Sequence, residues 1–146
     1  MAASGGRART APALNLLVEA FSIGTTLDRI PENCRPRTLA EAYALQTALV
    51  ETLAIETAGW KIGCTSEAAR KILTSDGPFA GRVFLPRCFA SGTVIPSHSY
   101  PMRGLEGEFA FVLGKDLKPR KKPYTRAEVA AAVADLHPAI EIIDSR

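Results

Sequence analysis

Two glutamates, Glu106 and Glu108, stand one residue apart in the run LEGEFAFVLGKDL, residues 105–117. On a strand their side chains leave the same face, ~6.6 Å apart along the chain. Long glutamate side chains converge from that separation onto one hard cation, which takes oxygen ligands at ~2.1 Å if it is magnesium. Glu141, in Ala-Ile-Glu-Ile-Ile, is the third candidate. Apolar neighbours on both sides make an ionised carboxylate there costly unless something pairs with it. Three acids meeting without a cation would repel by ~4 kcal/mol per pair at ~4 Å and an effective dielectric of 20, and a divalent ion reverses that sign. Magnesium or manganese suits the set better than zinc, because no histidine or cysteine joins it. The alternative is a solvated acidic face, with Glu141 paired to Arg146 or to a lysine.

The strand carrying the pair has a second peculiarity. Leu105, Gly107, Phe109, Phe111 and Leu113 share one face, and Ala110 and Val112 follow the two acids on the other. This pattern predicts a strand buried on both faces beyond its acidic end.

Other reactive side chains read more plainly. Lys61, between Trp60 and Ile62, is by spacing alone a solvent-facing lysine on a strand. Cys64 has no histidine near it in sequence and reads as a small buried thiol. His98 falls in a Ser/Pro-rich loop at the surface, and His137 opens the last strand, where a capping or packing role fits better than the alternative of reaching the site. Residues 115–126 hold six basic side chains and one acid. Their two prolines and single aromatic suit a solvated loop before a helix better than a nucleic-acid patch.

The elements that must position these residues follow from punctuation and periodicity. Residues 12–24 read as a short helix closed by Gly24, after a flexible stretch over 1–11. Thr38 and Glu41 form a capping-box pattern, and Leu39, Ala42, Leu45, Leu49 and Leu53 give the following helix an apolar stripe. A strand over 59–65 and a short helix over 66–75 follow, with Ser66 as cap. A loop then carries a short strand at 81–85, and a further strand begins at 93–95. After the glutamate strand, Thr125 and Glu128 repeat the capping box. Val129, Val133 and Leu136 continue that helix at i, i+4 and i+7, and residues 138–143 form the last strand. Helices and strands mix without regular alternation, which predicts an α+β fold.

The 146 residues, 47% hydrophobic and 23% charged, suit one globular domain with a core of its own. A net charge of +3 is too mild to call for nucleic acid. No apolar run approaches a membrane span, and no apolar segment follows a basic start as in a secretory signal. The three cysteines, Cys34, Cys64 and Cys88, lack metal-type spacing and read as reduced cytosolic thiols. A cytoplasmic location is the expectation. The chain stops directly after an apolar run, which reads as a cut through a fold.

Three segments in order, GWKIGCTSEAARKIL, GLEGEFAFVLGKDL and PAIEIIDSR, resemble the 2-keto-4-pentenoate hydratase and 4-oxalocrotonate decarboxylase group of the fumarylacetoacetate hydrolase superfamily. LAEAYALQ at 39–46 is similar to that group's N-terminal helix, so the resemblance covers roughly 12–146. It implies N-terminal helices packed on part of a mixed β-roll, with the C-terminal strands missing. It implies a Mg²⁺ or Mn²⁺ site on Glu106, Glu108 and Glu141. Lys61 would be the catalytic lysine beside a 2-oxo or 2-hydroxydienoic acid, and Gly63, with Gly59, would let the backbone approach that substrate. The implied reaction is hydration of the dienoate in aromatic catabolism, with the metal stabilising enolate charge. Decarboxylation of a 2-oxo acid, or a truncated relative without catalysis, are the alternatives. A small-molecule partner is implied, with no nucleic acid or membrane, and a homo-oligomer if the full-length fold is present. One departure stands out. Many hydratases carry Pro-Asp-[Phe/Tyr]-Gly after the lysine strand, where this chain has Pro78, Phe79, Ala80 and Gly81, with Asp76 just before.

Overall fold

The computed structural model describes residues 2–100 and 102–144. The chain forms two compact units, one up to Val94 and the other from Ile95 onward. Each is described by itself.

The first unit opens with helix α1, Ala2–Ile23, which begins earlier than the spacing indicates and carries Pro12 inside it. It stops where Gly24 turns left-handed at φ 73°. Small residues make its inner face: Ala13 and Ala20 are fully buried. Helix α2, Leu39–Leu53, packs on it through Leu45, which joins Ala13 and Cys34 with Leu14, Leu17 and Ile30 around them. Thr38 caps α2 by accepting from the Glu41 N–H at 3.2 Å. The Glu41 carboxylate reaches back to the Arg37 N–H at 2.7 Å and to Arg9 of α1 at 2.5 Å. The Arg37 N–H foremost, then Arg9, holds that carboxyl below its ordinary range. The expected box therefore forms one residue wider and doubles as a tie between helices.

Strand β1, Thr57–Gly63, is followed by α3, Glu67–Leu73, capped by Ser66 as its sequence indicates. Strand β2, Phe79–Phe84, returns antiparallel to β1 and starts two residues before the expected 81–85. Tyr43 and Gln46 of α2 explain the early start. The Ala80 N–H donates to the Tyr43 hydroxyl at 3.0 Å, and the Gln46 amide donates to the Ala80 carbonyl at 3.1 Å. Phe84 closes the unit edge-to-face on Phe21 of α1 at 5.6 Å. No strand forms at 93–95. Gly92 turns the chain at φ 86°, and Thr93 bonds back to Ala90 instead of to a neighbouring strand.

The second unit is a long antiparallel hairpin of β3, Gly104–Leu113, and β4, Val133–Ile143. Helix α4, Arg126–Ala130, sits in the connection. Its capping box is complete, Thr125 and Glu128 each accepting from the other's backbone N–H. The helix nevertheless ends at Ala130, and Val133 and Leu136, expected to extend it, lie in β4. Cross-strand pairing of Leu136 with Phe111 and of Val133 with Leu113 overrides the local i, i+4 pattern.

The composition predicts a substantial core, yet the buried apolar set among the described residues is thin and consists mostly of small side chains. The glutamate strand is likewise not covered on both faces. Paired positions put Leu105, Phe109 and Phe111 with Ile142, Pro138, Leu136 and Ile140 on one face of the hairpin. Phe109 is 71% exposed and Ile140 74%. The fold is α+β, and its two sheets are two-stranded and antiparallel.

Candidate metal centre and lysine strand

Register brings the three acids together. Glu106 lies directly opposite Glu141, and Glu108, opposite Ala139, is the next side chain of β3 on that face. Side chains of directly opposed residues start ~5 Å apart, and like charges so placed are destabilising by themselves. One carboxylate oxygen from each of Glu106, Glu108 and Glu141 lies within 4.8 Å of the others. Glu106 is exposed, while Glu108 and Glu141 are half-buried. The greasy setting expected around Glu141 is one-sided, since Ile140 and Ile142 pair onto the opposite face. Arg146, its alternative partner, lies outside the described residues. Three hard oxygen donors fit a magnesium-type ion and suit zinc poorly.

The same face continues through Ala110 and Val112 of β3 and through Ala139, His137 and Asp135 of β4. His137 does not open a strand. It is the fifth residue of β4, with its Nε2 3.2 Å from Asp135 Oδ2. Its place was legible in the alternation counted back from Glu141 through 139 to 137, once the strand is allowed to begin before Pro138.

Lys61 belongs to the first unit, half-buried on β1 opposite Gly81. Its Nζ donates to the Ile62 carbonyl at 3.3 Å. Trp60 and Ile62 point to the other face, where the Arg82 guanidinium stacks 3.7 Å from the centre of the Trp60 ring. Sequence reading missed that pairing, because only the β1–β2 register places residue 82 beside residue 60. A Cβ at Gly63 would meet the Phe79 ring at 2.9 Å, whereas one at Gly59 would meet nothing within 4 Å. Phe79 thus accounts for the glycine at 63. Cys64 is buried as expected, in a left-handed conformation at φ 57°. The basic loop is tied down by Arg120, which grips Glu128 at 2.6 Å and stacks on Tyr124 at 3.6 Å.

No protein-family model matches the chain. Curated proteins do. A 2-keto-4-pentenoate hydratase of Burkholderia vietnamiensis is 35% identical over 133 residues, covering 89% of this chain and 50% of the relative. 2-Keto-4-pentenoate hydratase 3 of Pseudomonas putida is 31% identical over 133 residues, 89% of this chain and 49% of its own length. The TodF product hydratase of Pseudomonas putida F1 is 32% identical over 137 residues, 92% of this chain and 50% of the relative. The resemblance carried by the lysine strand, the glutamate strand and the final segment therefore extends over nearly the whole chain: it is similar to the 2-keto-4-pentenoate hydratases and spans about half the length of the relatives it matches.

Proposed function

We propose that the chain carries the acid cluster and the lysine of a metal-dependent hydro-lyase acting on 2-hydroxy-2,4-dienoates or 2-oxo-enoic acids, of the kind made during aromatic-ring degradation. The observation that carries this reading is the convergence of Glu106, Glu108 and Glu141, in a chain similar to named hydratases. In this reading the three carboxylates hold Mg²⁺ or Mn²⁺. Once bound, such an ion supplies Lewis-acid stabilisation of developing enolate charge. Lys61 binds the substrate carboxylate or, desolvated, moves a proton. Gly59, with open space at its Cβ position, offers the backbone approach to substrate. The larger β-roll of the fumarylacetoacetate hydrolase type, a homo-oligomeric assembly and a cytoplasmic location belong to the same proposal. No helix among the described residues is long and apolar enough to cross a membrane.

The test is an ultraviolet assay of the recombinant chain with a panel of dienoates, with and without magnesium. Loss of dienoate absorbance that depends on magnesium supports the reading, and turnover that survives a chelator sinks it. The open apolar face of β3–β4 favours a second reading, a binding relative without turnover. Magnesium binding by calorimetry without conversion of any dienoate would mark that case, and carbon dioxide release from a 2-oxo acid would mark the decarboxylase.

A further inference from the structure

We infer that His137, oriented by Asp135, receives the end of the ligand remote from the carboxylate cluster. The inference rests on the metal-site reading above and extends it to a residue outside the acid set. Glu108 and His137 are diagonal neighbours on one face, because Glu108 pairs with Ala139 and His137 lies two residues before it. Such neighbours stand ~7 Å apart. Ala139 and Ala110 are the side chains between them. The face is thus a lane floored by methyl groups, with oxygen donors at one end and an imidazole at the other.

The imidazole is not packed away in this unit, since its side chain is 55% exposed. Its orientation is set locally. Asp135 is braced by the Leu136 N–H at 2.8 Å and takes the Nε2 side of His137 at 3.2 Å. With Nε2–H donated to Asp135, Nδ1 is left as the acceptor of the ring. A short 2-oxo acid whose carboxylate and 2-oxygen face the acid cluster extends its carbon chain over the alanines toward that nitrogen. A water or hydroxyl at the far end of the chain is then within reach of a hydrogen bond. Among the described residues of β3 and β4, the charged groups on this face are Asp135, Glu106, Glu108 and Glu141, and His137 is the basic side chain there.

The chain has two histidines, so His98 serves as an internal control. With ¹⁵N-labelled histidine, magnesium chloride is titrated first and 4-hydroxy-2-oxopentanoate second, with 2-oxopentanoate, which lacks the hydroxyl, as the comparison. The expected result is a saturable shift of the His137 ring nitrogens on adding 4-hydroxy-2-oxopentanoate, with His98 still. His137→Ala should weaken 4-hydroxy-2-oxopentanoate binding by roughly fivefold, the worth of one hydrogen bond, and leave 2-oxopentanoate and magnesium affinity unchanged. Asp135→Ala should weaken it similarly, and Asp135→Asn, which keeps an acceptor, should restore it. If magnesium binds but calorimetry shows no 4-hydroxy-2-oxopentanoate binding, or shows binding while the His137 ring stays still and His137→Ala binds as well, this inference fails and the metal reading stands. If magnesium does not bind at all, both fall.

Discussion

At the scale of single residues, Glu141 decides most. It faces Glu106 across one antiparallel pair, with Glu108 on the same face. Without a cation the three carboxylates repel, by ~1 kcal/mol per pair at 4 Å in water and more where screening is weaker. Glu141→Gln removes one repelling charge and one full negative donor. Magnesium affinity should therefore fall by at least about tenfold in a calorimetric titration. Stability of the metal-free chain in urea should hold or rise. A loss of several kcal/mol in the metal-free protein would instead identify Glu141 as a member of a structural ion pair. The shared face of Glu106 and Glu108 was legible in the sequence, because a spacing of two on a strand admits one face only. The partner of Lys61's neighbour Trp60 was not, because residue 82 reaches it only through pairing.

Elements add predictions of their own. On β1, Gly63 and Gly59 look alike in sequence and differ in space. Gly63→Ala drives a methyl into the Phe79 ring and should destabilise by about 1 kcal/mol, the low end for overpacking, because the ring is 41% exposed and can yield. Gly59→Ala meets nothing and should be neutral or stabilise by up to about 1 kcal/mol through the unfolded chain. Urea midpoints of the two variants give the comparison. In α4, Arg120 first, and then the Thr125 N–H, hold the Glu128 carboxyl down at about 2. The folded value lies below the unfolded one of ~4.3. Its contribution is thus fully present above pH ~4.3 and is lost as pH falls toward about 2. The Thr125 amide resonance should report fraying of α4 across that window, earlier in high salt, since the pair is exposed. An amide unchanged down to pH 2 would contradict the assignment. The caps of α2, α3 and α4 were legible because each is a local exchange between a hydroxyl and an N–H three residues on. The C-terminal limit of α4 was not, because strand pairing outbids helical spacing there.

For the whole molecule, the open face of the β3–β4 hairpin is the main consequence. Phe109 and Phe111 are 71% and 63% exposed. Replacing both with threonine should change stability of this chain by less than about 0.5 kcal/mol each, as for surface sites. The same change in a core would cost about 3–5 kcal/mol per phenylalanine. Binding of a hydrophobic dye should drop in the double variant. A large loss of stability would show that the face is covered in solution. The sequence pattern of this strand says truthfully that its side chains suit burial. Burial itself needs a second surface, and the thin set of buried side chains among the described residues leaves that face bare.

The amino-acid sequence by itself determined the α+β class, the helix caps and the face shared by Glu106 and Glu108. Each of these depends on neighbours within a few residues, where backbone geometry leaves little choice. Only the tertiary structure decided that Glu141 stands opposite Glu106, that β4 begins at Val133 and so carries His137 and Asp135, and that Phe79 fills the space beside Gly63. Those facts depend on strand register, and register is set by the sum of cross-strand contacts between segments tens of residues apart.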